Sequence, residues 1–188
     1  MDYTITPTES DNYCTLEQAL KHLNLDDRDA ENAIITPQED QDEVTEMIEA
    51  SIAQVENHCK PIFMERDYVV TLEEWQDKFV FPFYPVNSIA SIAYKDLEGQ
   101  NQTLVAASFR LISYASTRES KIIFKGTLPE IQEYSSITIT GKCGTSKVPA
   151  DVKKAVKLLI GDSDTYREDR PLPGADRAVN ALLRPYKY

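Results

Sequence analysis

The sequence predicts an α+β fold: helix pairs at the two ends of the chain pack into a small scaffold, and an antiparallel β-rich block is inserted between them. Three observations carry this. Apolar residues recur at helical spacing before residue 60 and again after Val148-Pro149. The stretch between holds short runs of β-branched and aromatic residues divided by turn residues. At 188 residues, 41% hydrophobic and 27% charged, the chain is long enough to bury about 70% of its unfolded surface without metals or disulfides. Residues 1–62 and 148–188 are assigned to the helical scaffold and residues 63–147 to the β-rich insertion.

The elements follow in order. Thr15 and Gln18 have capping-box spacing, and Leu16, Ala19, Leu20 and Leu23 then share one face, predicting a helix over 15–23. The acid-rich stretch to residue 35 has no sustained period and reads as a loop, with a turn around Ala33–Ile35. Thr36-Pro37-Gln38-Glu39 supplies an N-cap, a proline at the first helical position and a glutamate at the third. Val44, Met47, Ile48, Ile52 and Val55 continue as a stripe, with Glu43, Glu46, Glu49 and Glu56 mostly outside it, to a helix end before Pro61.

From residue 65 about six short strands are expected, in RDYVVTLEEW, KFVFPFYPV, SIASIAYKD, FRLIS, KIIFKG and SSITITGK. Asp96-Leu97-Glu98-Gly99 is a hairpin signal, the glycine supplying a positive φ. Alternating Phe79, Phe81 and Phe83 read as the core face of a strand. After Val148-Pro149, Val152, Ala155, Val156, Leu159 and Ile160 form a helix face that runs through Gly161 at a cost of about 1 kcal/mol. Pro171-Leu172-Pro173-Gly174 breaks the chain before a last helix at 175–183, with Ala178, Val179, Leu182 and Leu183 on one side.

Charge excludes some functions. The formal net charge is -11, with 31 acids against 20 bases, which opposes sequence-independent binding to nucleic acid. Residues 1–60 carry 15 acids and 3 bases, so nearly all the excess lies in the first third. No window approaches the ~20 apolar residues of a membrane span, and the N-terminus lacks a signal-peptide pattern, so a soluble cytoplasmic chain is expected. Cys14, Cys59 and Cys143 form no close pair and read as buried thiols.

No phosphate-binding loop, nucleophile elbow or HExxH zinc motif occurs. His22 and His58 have no cysteine or second histidine at ligand spacing. The carboxylates from Asp26 to Glu43 suit a hard cation chemically, but no glycine divides them as an EF-hand requires, and they read as an acidic loop. No catalytic residue, cofactor or metal is expected. The aromatic and cationic tail Arg184, Pro185, Tyr186 and Tyr188 has an interface composition, docking either on its own chain or on a partner.

Four segments taken together carry a resemblance: TLEQALKHLNLD at 15–26, DEVTEMIEASIAQVENHCKP at 42–61, VPADVKKAVKLLIGDSDTYRED at 148–169 and AVNALLRPYKY at 178–188. In their order and spacing they resemble the head-tail connector proteins of tailed bacteriophages, also described as DNA-packaging proteins. Leu16, Ala19, Leu20, Leu23, Ile48, Ala53, Val55, Val148, Pro149, Ala155, Leu159, Tyr166, Arg167, Leu182, Leu183, Pro185 and Tyr186 match the family pattern. The stretch 25–43 is longer than the family pattern has it.

The resemblance implies a structural virion protein at the head-tail junction, assembled in the host cytoplasm as a ring of about twelve copies. The ring would join the capsid portal protein to a tail or stopper protein, with DNA passing through and no specific nucleic-acid contact. Asp42, Glu43, Glu46 and Glu49 are then expected on the channel wall, where like charge lets DNA slide. The competing expectation is an acidic DNA-mimic inhibitor of a basic protein, which requires acids over the whole surface.

Overall fold

The computed structural model describes residues 1–7, 9–25, 36–165 and 175–187. The expected turn at 33–35 lies outside them. The order is β1 (Asp2–Ile5), α1 (Leu16–Leu23), α2 (Gln38–His58), β2 (Arg66–Leu72), β3 (Lys78–Val80), β4 (Val86–Lys95), β5 (Asn101–Thr103), β6 (Phe109–Tyr114), β7 (Glu119–Phe124), β8 (Ile137–Cys143), α3 (Ala150–Thr165) and α4 (Ala175–Leu183). The fold class is α+β. The chain divides into two compact units: Met1–Thr8 with Pro61–Ser146, and Glu9–Lys60 with Lys147–Tyr188.

In the helical unit, Thr15 caps α1 by accepting from the Gln18 backbone N–H at 3.2 Å. Asn24 ends the helix in the left-handed region, which asparagine tolerates. The start of α2 departs from expectation. Pro37, not Thr36, occupies the N-cap, and the Thr36 hydroxyl instead donates to the Leu25 carbonyl at 2.5 Å. Glu39 and Asp40 in the first turn meet the positive end of the helix dipole instead.

Val44, Ile48, Ile52 and Val55 of α2 are buried, as are Val152, Ala155, Val156, Leu159 and Ile160 of α3. Helix α2 packs against α3, α1 against both, and α4 against α3. Each of the valine, leucine and isoleucine side chains contributes about 1.5–3 kcal/mol relative to exposure. Helix α3 runs through Gly161, and His22 of α1 lies over that glycine. Tyr13, fully buried, donates its hydroxyl to Glu56 near the end of α2.

In the β unit all strand pairs are antiparallel, in a five-stranded sheet β1-β2-β8-β4-β5 and a three-stranded sheet β3-β7-β6. Strand β1 is an element the sequence pattern did not signal; four residues of it pair with β2 and place the first residues with the β unit. Burial alternates along β2, β7 and β8, so Tyr68, Val70, Leu72, Ile122, Phe124, Ile137 and Ile139 share one core. Phe79, Phe81 and Phe83 alternate into it as expected, and the last bond to β7 runs from the Phe81 N–H to the Ser120 carbonyl at 2.9 Å, just before Pro82. Asp96–Gly99 forms the turn between β4 and β5, with Gly99 at φ 78° and the Asp96 carboxylate accepting from Gln100 and Gln102. Those donors hold the Asp96 pKa below its usual value, the Gln102 side chain contributing most.

A small polar ring joins the two sheets. The buried Ser120 hydroxyl accepts from the Val86 N–H at 3.0 Å, and the Ser113 hydroxyl donates to the Val86 carbonyl at 3.0 Å. The Ser113–Ser120 bond of 2.9 Å is therefore donated by Ser120, and every group is used once. Nearby, β4 bulges between Ile89 and Ser91 opposite Gly141 of β8. A Cβ on Gly141 would lie 2.1 Å from the Ser88 carbonyl oxygen, which accepts from the Tyr68 hydroxyl at 3.2 Å.

Among the described residues no helix is long and apolar enough to cross a membrane. Three outcomes are expected in urea unfolding. Ser120→Ala orphans a buried N–H and costs about 1–3 kcal/mol. Gly141→Ala, forced against backbone, costs about 3 kcal/mol, whereas Gly161→Ala stabilises by about 0.5–1 kcal/mol because its new methyl meets only the His22 ring edge at 3.4 Å.

Candidate functional site

Among the described residues, several side chains capable of chemistry take part in local packing or hydrogen bonds. His58 Nδ1 lies 3.1 Å from the Gln54 carbonyl one turn back. The three cysteines are buried and form no disulfide. Burial pushes the Cys143 thiol up to about 11, so it stays protonated at neutral pH and is a poor nucleophile. Burial likewise raises the Tyr68 phenol above its ordinary range. Among the described residues no group of three His, Cys, Asp or Glu is placed to hold a metal; Asp26, Asp27, Asp29 and Glu31 lie outside them.

The concave features are modest. A cleft of about 370 Å³ on the β unit is lined by Lys95 and Gln132–Ser136. Between α2, α3 and α4 a void of about 20 Å³ touches Gln54, His58, Leu159 and Asn180, room for one water.

What the helical unit presents is surface. On α2 the buried positions 44, 48, 52 and 55 centre on one side, and at 100° per residue positions 42, 46 and 49 centre on the opposite side. Asp42, Glu46 and Glu49 are exposed there and Glu43 is half-buried. Asp42 accepts from the Gln38 side chain at 2.8 Å. Among the described residues none of Asp42, Glu46 and Glu49 has an ion-pair partner.

The tail continues from buried Leu183 into a 3-10 turn, Arg184–Tyr186. The Tyr186 carbonyl accepts from the Lys60 N–H at 2.9 Å, and Lys187 donates to the Asn180 side chain. The tail thus closes onto the end of α2 in its own chain, while Arg184 and Pro185 stay exposed and Tyr186 is half-buried. Tyr188, Tyr166 and Arg167 lie outside the described residues.

Sequence reading missed the Tyr13–Glu56 bond and the Ser113–Ser120–Val86 ring. Both join residues distant along the chain, and neither leaves a local pattern. It also missed that Lys78, Arg110 and Lys121 project from one face of the three-stranded sheet, which strand register alone determines.

No family model and no curated protein matches the chain. Solved structures do. A chain in the neck of an empty gene transfer agent (GTA) particle, computed with C6 symmetry, superposes with a TM-score of 0.79 at 22% identity, covering 100% of this chain and 95% of that one. A chain in the virion of a native GTA particle gives 0.73 at 21% identity over 100% and 95%. One in the neck of a native GTA particle, computed with C12 symmetry, gives 0.69 at 20% identity over 97% and 94%. At these identities the likeness is one of fold, and over its whole length this chain has the fold of chains found in GTA neck and virion structures.

Proposed function

We propose that this chain is a structural neck protein of a phage-type particle, a ring-forming adaptor that joins the capsid portal to the tail and surrounds the DNA channel. The observation that carries the reading is the end-to-end likeness to chains solved in necks of C6 and C12 symmetry. An unrelated chain sharing only a common module would match over part of its length. Here the match covers 97–100% of this chain and 94–95% of each neighbour. The resemblance of the helices and tail to head-tail connectors supports the same reading from a separate direction.

Physical features agree with it. A ring adaptor must fold independently and present surfaces, and among the described residues Asp42, Glu46 and Glu49 are exposed on α2. In this reading the portal and a tail or stopper protein are the axial neighbours, and Arg184 and Pro185 are offered to one of them. The protein resides at the virion neck after assembly in the host cytoplasm, and DNA passes without base contacts. The near-neutral residues 61–150, with 10 acids and 9 bases, count against a DNA mimic, whose carboxylates must cover the surface that meets the basic partner.

The test is the assembly state. Light scattering from micromolar to millimolar concentration, with negative-stain imaging, is expected to show annular particles of sixfold or twelvefold symmetry. A chain that stays monomeric throughout and is absent from purified particles of its source overturns the proposal.

A further inference from the structure

A closed ring of one chain needs two different surfaces per copy, each complementary to the other, because a head-to-tail interface is heterologous. The outer face of the three-stranded sheet supplies one candidate. Register places Lys78, Ile123 and Arg110 in one row across β3, β7 and β6, and Val80, Lys121 and Ile112 in the next. The opposite face carries Phe79, Leu111 and Ile122 toward the core. The outer face thus interleaves apolar and cationic side chains: Ile123 lies between Lys78 and Arg110 in one row, and Lys121 between Val80 and Ile112 in the next. Val80 is 41% exposed and Tyr114, on the same face, 42%.

The cations differ in how far they are already used. Lys121 lies 3.9 Å from Glu119 and 4.6 Å from the Tyr114 ring centre. Lys78 and Arg110 have no ion-pair partner among the described residues. In a chain of net charge -11, a sheet face with three cations, one acid and exposed apolar side chains is a surface for an anionic, partly apolar occupant.

The exposed face of α2 has that chemistry. Asp42, Glu46 and Glu49 share it with Ala50 and Ala53, small enough to let a helix lie close on a sheet. The spacing is also commensurate. Asp42 and Glu49 are seven residues apart, about 10.5 Å along the axis, and Lys78 and Arg110 are two strand spacings apart, about 9.6 Å.

We infer that in the assembled ring the outer face of β3-β7-β6 in one copy receives the acidic face of α2 from the next copy. This rests on the ring reading above and names the surfaces that make the ring. It assigns Asp42, Glu46 and Glu49 to the contact between copies in place of the channel wall. On charge alone Lys153, Lys154 and Lys157 of α3 would serve as well, but that face lacks the exposed apolar side chains of the sheet.

The test is a charge exchange. Lys78→Glu with Arg110→Glu in one variant, and Asp42→Lys with Glu49→Lys in a second, are each expected to weaken self-association at least tenfold by light scattering, with circular dichroism unchanged. Mixed in equal amounts they restore assembly, because every contact is again between opposite charges. A control, Lys153→Glu with Lys154→Glu and Lys157→Glu, leaves assembly within about twofold. Assembly untouched by either reversal, as channel-lining acids would give, or a mixture that fails to recover, overturns the pairing while leaving the ring. A wild-type chain that never assembles defeats the ring reading itself. Should either variant misfold, single reversals at Arg110 and Glu49 carry the same comparison.

Discussion

The structure depends on one pairing, that of β2 with β8. These strands open and close the β unit, and they run antiparallel in unbroken register from Arg66 opposite Cys143 to Leu72 opposite Ile137. Beyond the ladder the Thr145 N–H donates to the Ile62 carbonyl at 3.0 Å. The excursion of more than eighty residues therefore leaves and returns at neighbouring points. That constraint is what lets α2 and α3, far apart in sequence, bury their stripes against each other at little loop-closure cost. Gly144 is part of it: its backbone, at φ 106°, passes so near the Met64 carbonyl that a Cβ would sit 1.9 Å away.

Around this joint the two units use different means of cohesion. The β unit closes a mostly apolar core with aromatic contacts, among them Phe79, Phe81, Phe83 and Tyr68 with ring centres 5.1–5.5 Å apart. It then specifies one arrangement of its sheets with the serine ring at Val86, since a slipped alternative would strand buried polar groups. The helical unit relies on stripe packing and on its own termini. Tyr13 before α1 bonds Glu56 in the last turn of α2, and the Tyr186 carbonyl after α4 accepts from the Lys60 N–H just beyond it. The faces that remain outward are the ones an assembling protein would need.

Much of this was legible in the residues. Helical stripes gave α1, α2, α3 and α4 because amphipathic periodicity directly encodes which side is buried. Thr15 capped as its spacing indicated. Thr36 had the same local signature, but Pro37 takes the N-cap and the Thr36 hydroxyl bonds a tertiary acceptor, the Leu25 carbonyl. Strand β1 was invisible because four residues with mostly exposed side chains carry no alternation strong enough to read. The acids of α2 were recognised as a group, and helix geometry put three of them together on one face. The cations of the sheet face were not, since Lys78, Arg110 and Lys121 come from three strands and become neighbours only through register.

The central claim is that this chain is a repeating piece whose two unlike surfaces meet between copies. It is tested most directly by zero-length carbodiimide coupling of a particle assembled from mixed isotopically light and heavy chains, read by mass spectrometry. The account predicts linked peptides joining Lys78 to Glu46 or Glu49 that pair light with heavy. Links confined to a single isotope, or Lys78 joined only to acids elsewhere, would contradict it.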